Sequence, residues 1–139
     1  MEDPRLQKFA EVLINHSVKL QKGEKVLIEM FDAPQEVGLA LIKEAFKAEG
    51  IPLLEIKNQR MQRSLYINGG EEFFKTAADC ELHRMKQMDC YIGIRGIAND
   101  KELVDVPGDK MSMFEKLWLL PVHFEERVNN TRWVVTRYP

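Results

Sequence analysis

Few side chains in this sequence have the type and spacing that metal or nucleophilic chemistry requires. Cys80 and His83 are three residues apart on a predicted helix, so both could face one zinc ion. Two ligands do not complete a zinc site, and no second pair has metal-binding spacing. His16 is predicted to be a core or boundary histidine, and His123 a surface histidine. No catalytic nucleophile can be argued from spacing, so we name no catalytic residue and no metal ligand.

The best candidate site residues are polar side chains at the ends of predicted strands. Arg95 follows the apolar run of "CYIGIRG", and Arg137 and Tyr138 follow that of "RWVVTRYP". Ligands of parallel sheets bind outside the carboxyl ends of the strands. These three residues are therefore predicted to line a substrate cleft or a domain interface. The alternative is that they form ordinary salt bridges and packing contacts.

The junction between the first strand and its helix argues against a nucleotide site. A dinucleotide site needs glycines there, so that backbone amides can approach a pyrophosphate at the start of the helix. This chain has Asp32 and Glu36 in "MFDAPQE" instead, and their charges would repel a phosphate. A phosphoacceptor site is disfavoured too, because it needs a carboxylate where the third strand ends in Arg95.

Composition limits the class of partner. The chain has 139 residues and a net charge of −2, with acidic and basic residues interleaved. This balance does not indicate a basic patch of the kind that binds nucleic acid or an anionic membrane. No apolar run approaches the roughly 20 residues that span a bilayer, and "MEDPR" is not a signal peptide. We therefore predict a cytoplasmic protein with small-molecule, peptide or protein partners, in which Cys80 and Cys90 are buried free thiols.

The elements that must position these residues alternate between strand and helix. Short apolar runs predict strands at 26–31, 52–57, 90–96 and 132–139. Apolar residues at helical spacing predict helices at 4–20, at 34–50, around 74–85 and from about 113 onward. Residues 58–70 are polar and irregular, and no element is assigned to them.

Three local features refine this outline. Asp32 or Ala33 is predicted to cap the second helix. Pro121 is predicted to kink or break the last helix. The run "FEERVNN", residues 124–130, is interpreted as a solvated helix end.

The alternation of short apolar strands with helices predicts an α/β fold in one domain. It consists of a mostly parallel sheet with helices on both faces, a Rossmann-like or flavodoxin-like three-layer sandwich without a dinucleotide fingerprint. The strand at 90–96 is apolar throughout, as strands covered on both faces are. The sequence does not decide whether one edge strand of the sheet is antiparallel, because no element is assigned to residues 58–70.

The run "RWVVTRYP" predicts a buried strand that ends on Pro139 with no following element to cover it. We expect this strand to lead toward a further domain. Apolar surface near Trp133, Tyr138 and Trp118 would then lack its normal cover, and such patches favour self-association.

Three segments in this order carry a resemblance to a known family. "DPRLQKFAEVLINHSVKLQKGEKVLIE", "CYIGIRG" and "RWVVTRYP" resemble the amino-terminal domain of the thermophilic metallo-aminopeptidases, of the aminopeptidase T and aminopeptidase S (leucyl aminopeptidase) type. The resemblance extends over essentially all 139 residues. Each segment is moderately specific, and the ordered set is more specific than any one of them.

The resemblance implies an α/β domain that precedes a larger catalytic domain. In that family Glu, His, Asp and Tyr side chains of the second domain hold two divalent metal ions, such as zinc, cobalt or magnesium, and members form homodimers. It therefore implies that residues 1–139 are a non-catalytic domain of an enzyme that removes amino-terminal residues from peptides. The alternative is a self-contained α/β module for small-molecule binding or dimerisation.

Overall fold

A computed structural model describes residues 3–96, 103 and 105–138. One predicted element extends beyond these residues, because Pro139 of the strand at 132–139 lies outside the described part. Within it, the four strands are β1 Lys25–Phe31, β2 Ile51–Lys57, β3 Cys90–Arg95 and β4 Arg132–Arg137. They form one sheet in the order β2-β1-β3-β4, and all neighbouring strands are parallel.

Five helical stretches among the described residues cover the sheet. They are α1, Pro4–Glu11 with a wider π-type segment Val12–Ser17; α2, Gln35–Lys47; α3, Gln59–Asn68; α4, Glu71–Met85; and α5, Gly108–Met113 continuing through the π-type segment Phe114–Arg127 and a last turn, Val128–Asn130. The predicted α/β class, with a parallel sheet between helical layers, is confirmed. The antiparallel edge left open by the sequence is not found among the described strands.

Side-chain alternation along the strands divides the core into two parts. Val26, Ile28 and Met30 of β1 face α1 and α2, on what we call the first face. Leu27 of β1 and Tyr91 of β3 face α3, α4 and α5, on the second face. All of β3 except Arg95 is buried, as its continuous apolar character predicted. Functional side chains of the strands can therefore lie on either face.

The segment left unassigned in the sequence forms helix α3. Asn58 caps it, because its side-chain oxygen accepts a hydrogen bond from the Met61 amide at 3.0 Å. The buried side of α3 consists of Gln59, Gln62 and Tyr66. These polar or amphipathic residues do not produce an apolar stripe, and this is why helical periodicity was not visible.

Asp32 does not cap α2 as predicted. Its backbone has a positive φ of 54°, and its carboxylate accepts hydrogen bonds from the Asn58 side chain at 2.8 Å and from the Gln59 amide at 2.9 Å. Pro34 occupies the position before α2 and provides no side-chain cap. Asp32 thus ties the end of β1 to the start of α3, at the carboxyl edge of the sheet.

Pro121 neither breaks nor ends the last helix. It lies inside the π-type segment of α5, whose wider turns continue through to Arg127. The interpretation of "FEERVNN" as a solvated helix end is wrong at Arg127, which is only 6% exposed. The ion pair described below explains this burial.

Two further burial predictions are also wrong, those for His16 and Cys80. The first helix ends at Ser17 rather than at residue 20, and His16 is exposed. Cys80 is exposed, whereas Cys90 is buried as predicted. Trp133 is 40% exposed, which agrees with the expectation that apolar surface near it lacks cover, although β4 was predicted as a buried strand.

Trp118, predicted to lack cover, is instead buried beneath α4 and α5 side chains. Separately, no described helix is both long enough and apolar enough to span a lipid bilayer.

Candidate functional site

A cavity of about 140 Å³ lies on the second face, where β1, β2 and β3 end. The strands contribute Glu29, Phe31, Lys57, Tyr91 and Arg95 to its walls. The helices contribute a larger group: Tyr66, Glu81, Phe114, Trp118, Leu119, Val122, His123 and Arg127. This is the edge at which ligands of parallel α/β sheets bind, and it is therefore the candidate site.

Glu29 is the centre of the polar network beside this cavity. Alternation along β1 points its side chain to the second face, and only 1% of the residue is exposed. Its Oε1 accepts a hydrogen bond from the Tyr91 hydroxyl at 2.6 Å. Its Oε2 lies 3.1 Å from Nζ of Lys57, and Oε1 lies 3.6 Å from Nη2 of Arg127. A carboxylate buried this deeply requires such partners.

Gly93 makes the contact between Tyr91 and Glu29 possible. It is the residue of β3 directly opposite Glu29 in the sheet register. A Cβ atom at Gly93 would lie 2.9 Å from the Tyr91 hydroxyl oxygen. The absence of a side chain there leaves room for the Tyr91 ring to extend along the strand to the carboxylate.

Lys57 connects the sheet to α4 and α5. It ends β2 and pairs with Glu29 on one side and with Glu81 of α4 on the other. The second oxygen of Glu81 accepts a hydrogen bond from the Trp118 indole nitrogen. The ammonium also lies 5.3 Å from the centre of a Trp118 ring, in a cation–π arrangement. One lysine therefore fixes two helices against the carboxyl edge of the sheet.

Arg127 covers the other side of the network. The central carbon of its guanidinium group lies 3.9 Å from the centre of the Tyr91 ring. Its Nε and Nη2 atoms are buried and have no hydrogen-bond partner. The 3.6 Å ion pair to Glu29 compensates part of its charge without a direct hydrogen bond.

The balance of burial and charge keeps the network ionised. Burial raises the pKa of Glu29, but the charges of Lys57 and Arg127 outweigh it and hold that pKa below its usual value. Burial lowers the pKa of Lys57, but Glu29 and Glu81 outweigh it and raise that pKa. Burial and the neighbouring Glu29 charge raise the pKa of Tyr91 well above its usual value. None of these three groups is poised to exchange a proton near neutral pH.

His123 is half-buried in the cavity wall and not a surface residue as predicted. Its ring lies edge-on to Trp133, with 5.4 Å between the ring centres. Burial lowers the pKa of His123, and the charges of Arg127 and Arg95 lower it further. The imidazole is therefore predominantly neutral at pH 7.

The structure separates the three site residues predicted from sequence. Arg95 lines the cavity, with its guanidinium 5.3 Å from the centre of the Phe31 ring. Arg137 is the register neighbour of Arg95 on β4 and is exposed. Tyr138 packs against Phe9 of α1 on the first face, with ring centres 5.3 Å apart. Arg95 thus belongs to the candidate site and Tyr138 lies away from it.

Sequence reasoning missed Glu29, Lys57, Glu81 and Arg127. Their ion pairs join residues that are far apart in the chain, so no local spacing reveals them. One signal was available in "VLIEMF", where a single glutamate interrupts an apolar strand that is buried on both sides. Such a carboxylate must find cationic partners in the core.

The side chains of this site do not fit a metal centre. Within the described part of the chain, no three His, Cys, Asp or Glu side chains come together as a metal-binding group. The two carboxylates of the site, buried Glu29 and partly buried Glu81, are already bound by Lys57, Tyr91, Arg127 and Trp118. We therefore derive no metal-dependent step at this site.

Comparison with solved structures supports the fold. The chain is similar to wild-type AmpT from Thermus thermophilus, with a TM-score of 0.72 and 16% sequence identity. The match covers 96% of this chain and 36% of AmpT, so the chain spans about a third of that protein. The CurK enoyl reductase matches with a TM-score of 0.46 and 17% identity, over 98% of this chain and 42% of CurK. No curated protein sequence matches the chain.

A family model described as the thermophilic metalloprotease family M29 matches residues 2–139. The match covers nearly all of the sequence and agrees with the AmpT-like fold, so the resemblance seen in the sequence is confirmed. This chain belongs to the M29 family of thermophilic metalloproteases.

Proposed function

We propose that this chain is the non-catalytic amino-terminal domain of a metal-dependent aminopeptidase, which removes amino-terminal residues from peptides. Membership of a metalloprotease family supports the reaction class. The match to about a third of AmpT supports a role as one domain of a larger enzyme. The two divalent ions of the parent enzyme, zinc, cobalt or magnesium, would be held by a further, larger domain.

One observation carries the non-catalytic part of the proposal. Both carboxylates of the candidate site, Glu29 and Glu81, are neutralised by the chain's own Lys57 and Arg127 and by hydrogen-bond donors. A general base or a metal ligand needs a carboxylate that can accept a proton or a metal ion. Glu29 instead joins β1, β2, β3 and α5, so its role is to hold the carboxyl edge of the sheet in one shape.

The domain would contribute a wall of the substrate cleft rather than reacting groups. A rigid wall orients a peptide and excludes water from the reacting bond, and such positioning is a substantial part of catalysis. Arg95 and Arg137, at adjacent strand ends, are the proposed cleft or interface residues. We further propose that the parent enzyme is a cytoplasmic homodimer.

A chimaera with AmpT tests the proposed role. The matching segment of AmpT, 36% of its chain, is replaced by this domain and compared with AmpT from which the segment is deleted. We expect the chimaera to hydrolyse leucine p-nitroanilide faster than the deletion variant in the presence of cobalt. A folded, metal-loaded chimaera that is no faster than the deletion variant would contradict a cleft-shaping role.

A further inference from the structure

A larger cavity, which we call the α1–α2 groove, lies between the two helices that cover the first face of the sheet. Its volume is about 390 Å³, and the residues that line it differ from those of the 140 Å³ cavity. Cavities of roughly 300–1,000 Å³ whose apolar walls hold a few polar groups are typical of small-molecule sites. The groove has such apolar walls, formed by Leu6, Ala10, Leu39 and Ala40.

Glu44 of α2 contributes a buried carboxylate to the groove, and the residue is only 7% exposed. Its Oε1 accepts a hydrogen bond from the Asn15 side chain of α1 at 3.0 Å. Its Oε2 accepts none from the residues that the structure describes, and no described lysine or arginine forms an ion pair with it. A buried carboxylate requires a cationic partner. Glu44 therefore differs from Glu29, which has two such partners in the fold.

The free oxygen of Glu44 can be reached from the groove. In the described part of the chain, the side-chain atoms that are both fully buried and unpartnered belong to Glu29, Arg84 and Arg127. Oε2 of Glu44 lacks a partner but is not one of these atoms, so it keeps contact with the space in the groove. A ligand in the groove can therefore donate a hydrogen bond to it.

The other charged residues of the described lining balance one another. Asp3 and Glu36 are acidic, Lys43 and Lys47 are basic, and all four are exposed. Water and salt screen exposed charges, whereas they screen a buried charge much less. The charge of Glu44 therefore dominates inside the groove, and the groove favours a cation.

Helix packing explains the hydrogen bond of Glu44 but not its charge, because a glutamine carbonyl could accept the same bond from Asn15. We propose that the α1–α2 groove binds a small organic amine, with its ammonium group against the Glu44 carboxylate and its apolar body against Leu6 and Leu39. A charge-assisted hydrogen bond from the ammonium gives Glu44 its missing cationic partner. A single aromatic ring fits, since a cavity of about 150 Å³ already holds benzene. The site does not depend on the proposed aminopeptidase role.

Isothermal titration with 2-phenylethylamine tests the chemistry of the ligand. The neutral 2-phenylethanol has the same shape without the charge, and methylammonium has the charge without the apolar body. We expect 2-phenylethylamine to bind with a Kd of about 1 mM or tighter. It should bind at least about tenfold more tightly than either comparison compound, because each lacks one of the two interactions.

Glu44→Gln tests the proposed ammonium contact, because it removes the charge and keeps an acceptor for Asn15. The matched control is Glu36→Gln, which removes the same charge at an exposed position of the same groove. We expect Glu44→Gln to weaken binding of 2-phenylethylamine at least about tenfold and to leave 2-phenylethanol unaffected. Glu36→Gln should change binding by less than about twofold, since an exposed charge is screened. Thermal unfolding checks that both variants are folded.

Leu39→Ala tests the apolar wall independently of Glu44. Leu39 is 59% exposed, so the change does not disturb the core. We expect it to weaken binding of 2-phenylethylamine about threefold through lost apolar contact, whereas Phe46→Ala, 62% exposed on the same helix but outside the lining, should have no effect. No binding of 2-phenylethylamine, equal binding of 2-phenylethanol, equal effects of the two glutamate variants, or equal effects of the two alanine variants would each overturn the proposal.

Discussion

The Tyr91 hydroxyl donates a hydrogen bond to Oε1 of Glu29 at 2.6 Å, and both residues are almost fully buried. This contact joins β3 to β1 through side chains, in addition to the backbone ladder between them. Because Glu29 also meets Lys57 of β2 and Arg127 of α5, a single carboxylate connects most of the elements around the candidate site.

Glu29→Gln should destabilise the domain strongly. The substitution removes the negative charge that compensates Lys57 and Arg127, and breaking a buried ion pair costs about 3–5 kcal/mol. Urea denaturation measures the free energy of unfolding. The matched control is Glu55→Gln on the neighbouring strand β2, which breaks the partly exposed pair with Arg84 of α4 and should cost less than about 1 kcal/mol. Equal losses in the free energy of unfolding from the two variants would show that the Glu29 network is not the main stabilising interaction at the carboxyl edge of the sheet.

Gly93→Ala should displace the Tyr91 ring from Glu29. The added Cβ would lie 2.9 Å from the Tyr91 hydroxyl oxygen, and overpacking of this kind costs about 1–3 kcal/mol. Gly108→Ala is the control, because a Cβ there would meet no atom within 4 Å. Combining Gly93→Ala with Tyr91→Phe should cost less than the sum of the two single changes, since they disturb the same contact. Strict additivity in this double-mutant cycle would contradict the steric explanation.

His123 should make stability depend on pH in the mildly acidic range. Burial, Arg127 and Arg95 lower its folded pKa, while Glu29 acts in the opposite direction. The unfolded chain therefore binds more protons once the pH falls below about 6.5. The His123 contribution to stability is complete above that pH and is lost as the pH falls through the folded pKa. Urea unfolding between about pH 7.5 and 5.5 should show a smaller loss for His123→Gln than for the wild type; identical pH dependence would refute this assignment.

The proposed homo-oligomer predicts self-association through the exposed apolar residues near β4. Trp133 is 40% exposed and Phe124 of α5 is 54% exposed, and both contact the ring of His123. Sedimentation velocity should show that Trp133→Glu weakens association while thermal stability is retained. Tyr138→Asp is a poorer probe, because Tyr138 is partly buried against Phe9 and the core of the first face.

Phe46→Glu provides the control for that experiment. Phe46 is also exposed, but it lies on α2, against the first face of the sheet. It should leave association unchanged. A strictly monomeric wild type, or equal weakening by Phe46→Glu, would remove the basis for an interface at Trp133.

Sequence patterns predicted the strands and the fold class because burial on both sides of a parallel sheet leaves a continuous apolar run, as in β1 and β3. They failed for α3, whose buried side is made of Gln59, Gln62 and Tyr66. They predicted Arg95 as a site residue from its position at the end of a strand, since topology alone puts such residues at the carboxyl edge of the sheet, where ligands bind. They missed Arg127, because only the folded sheet brings it to Glu29.

We proposed that this domain supplies structure rather than chemistry to an aminopeptidase. The most direct test is to assay the purified 139-residue chain on leucine p-nitroanilide with added cobalt, zinc or magnesium. We expect no hydrolysis above the metal-only background, because Glu29 and Glu81 are held by the chain's own cations and donors. Metal-dependent release of p-nitroaniline that is abolished by a chelator would contradict it.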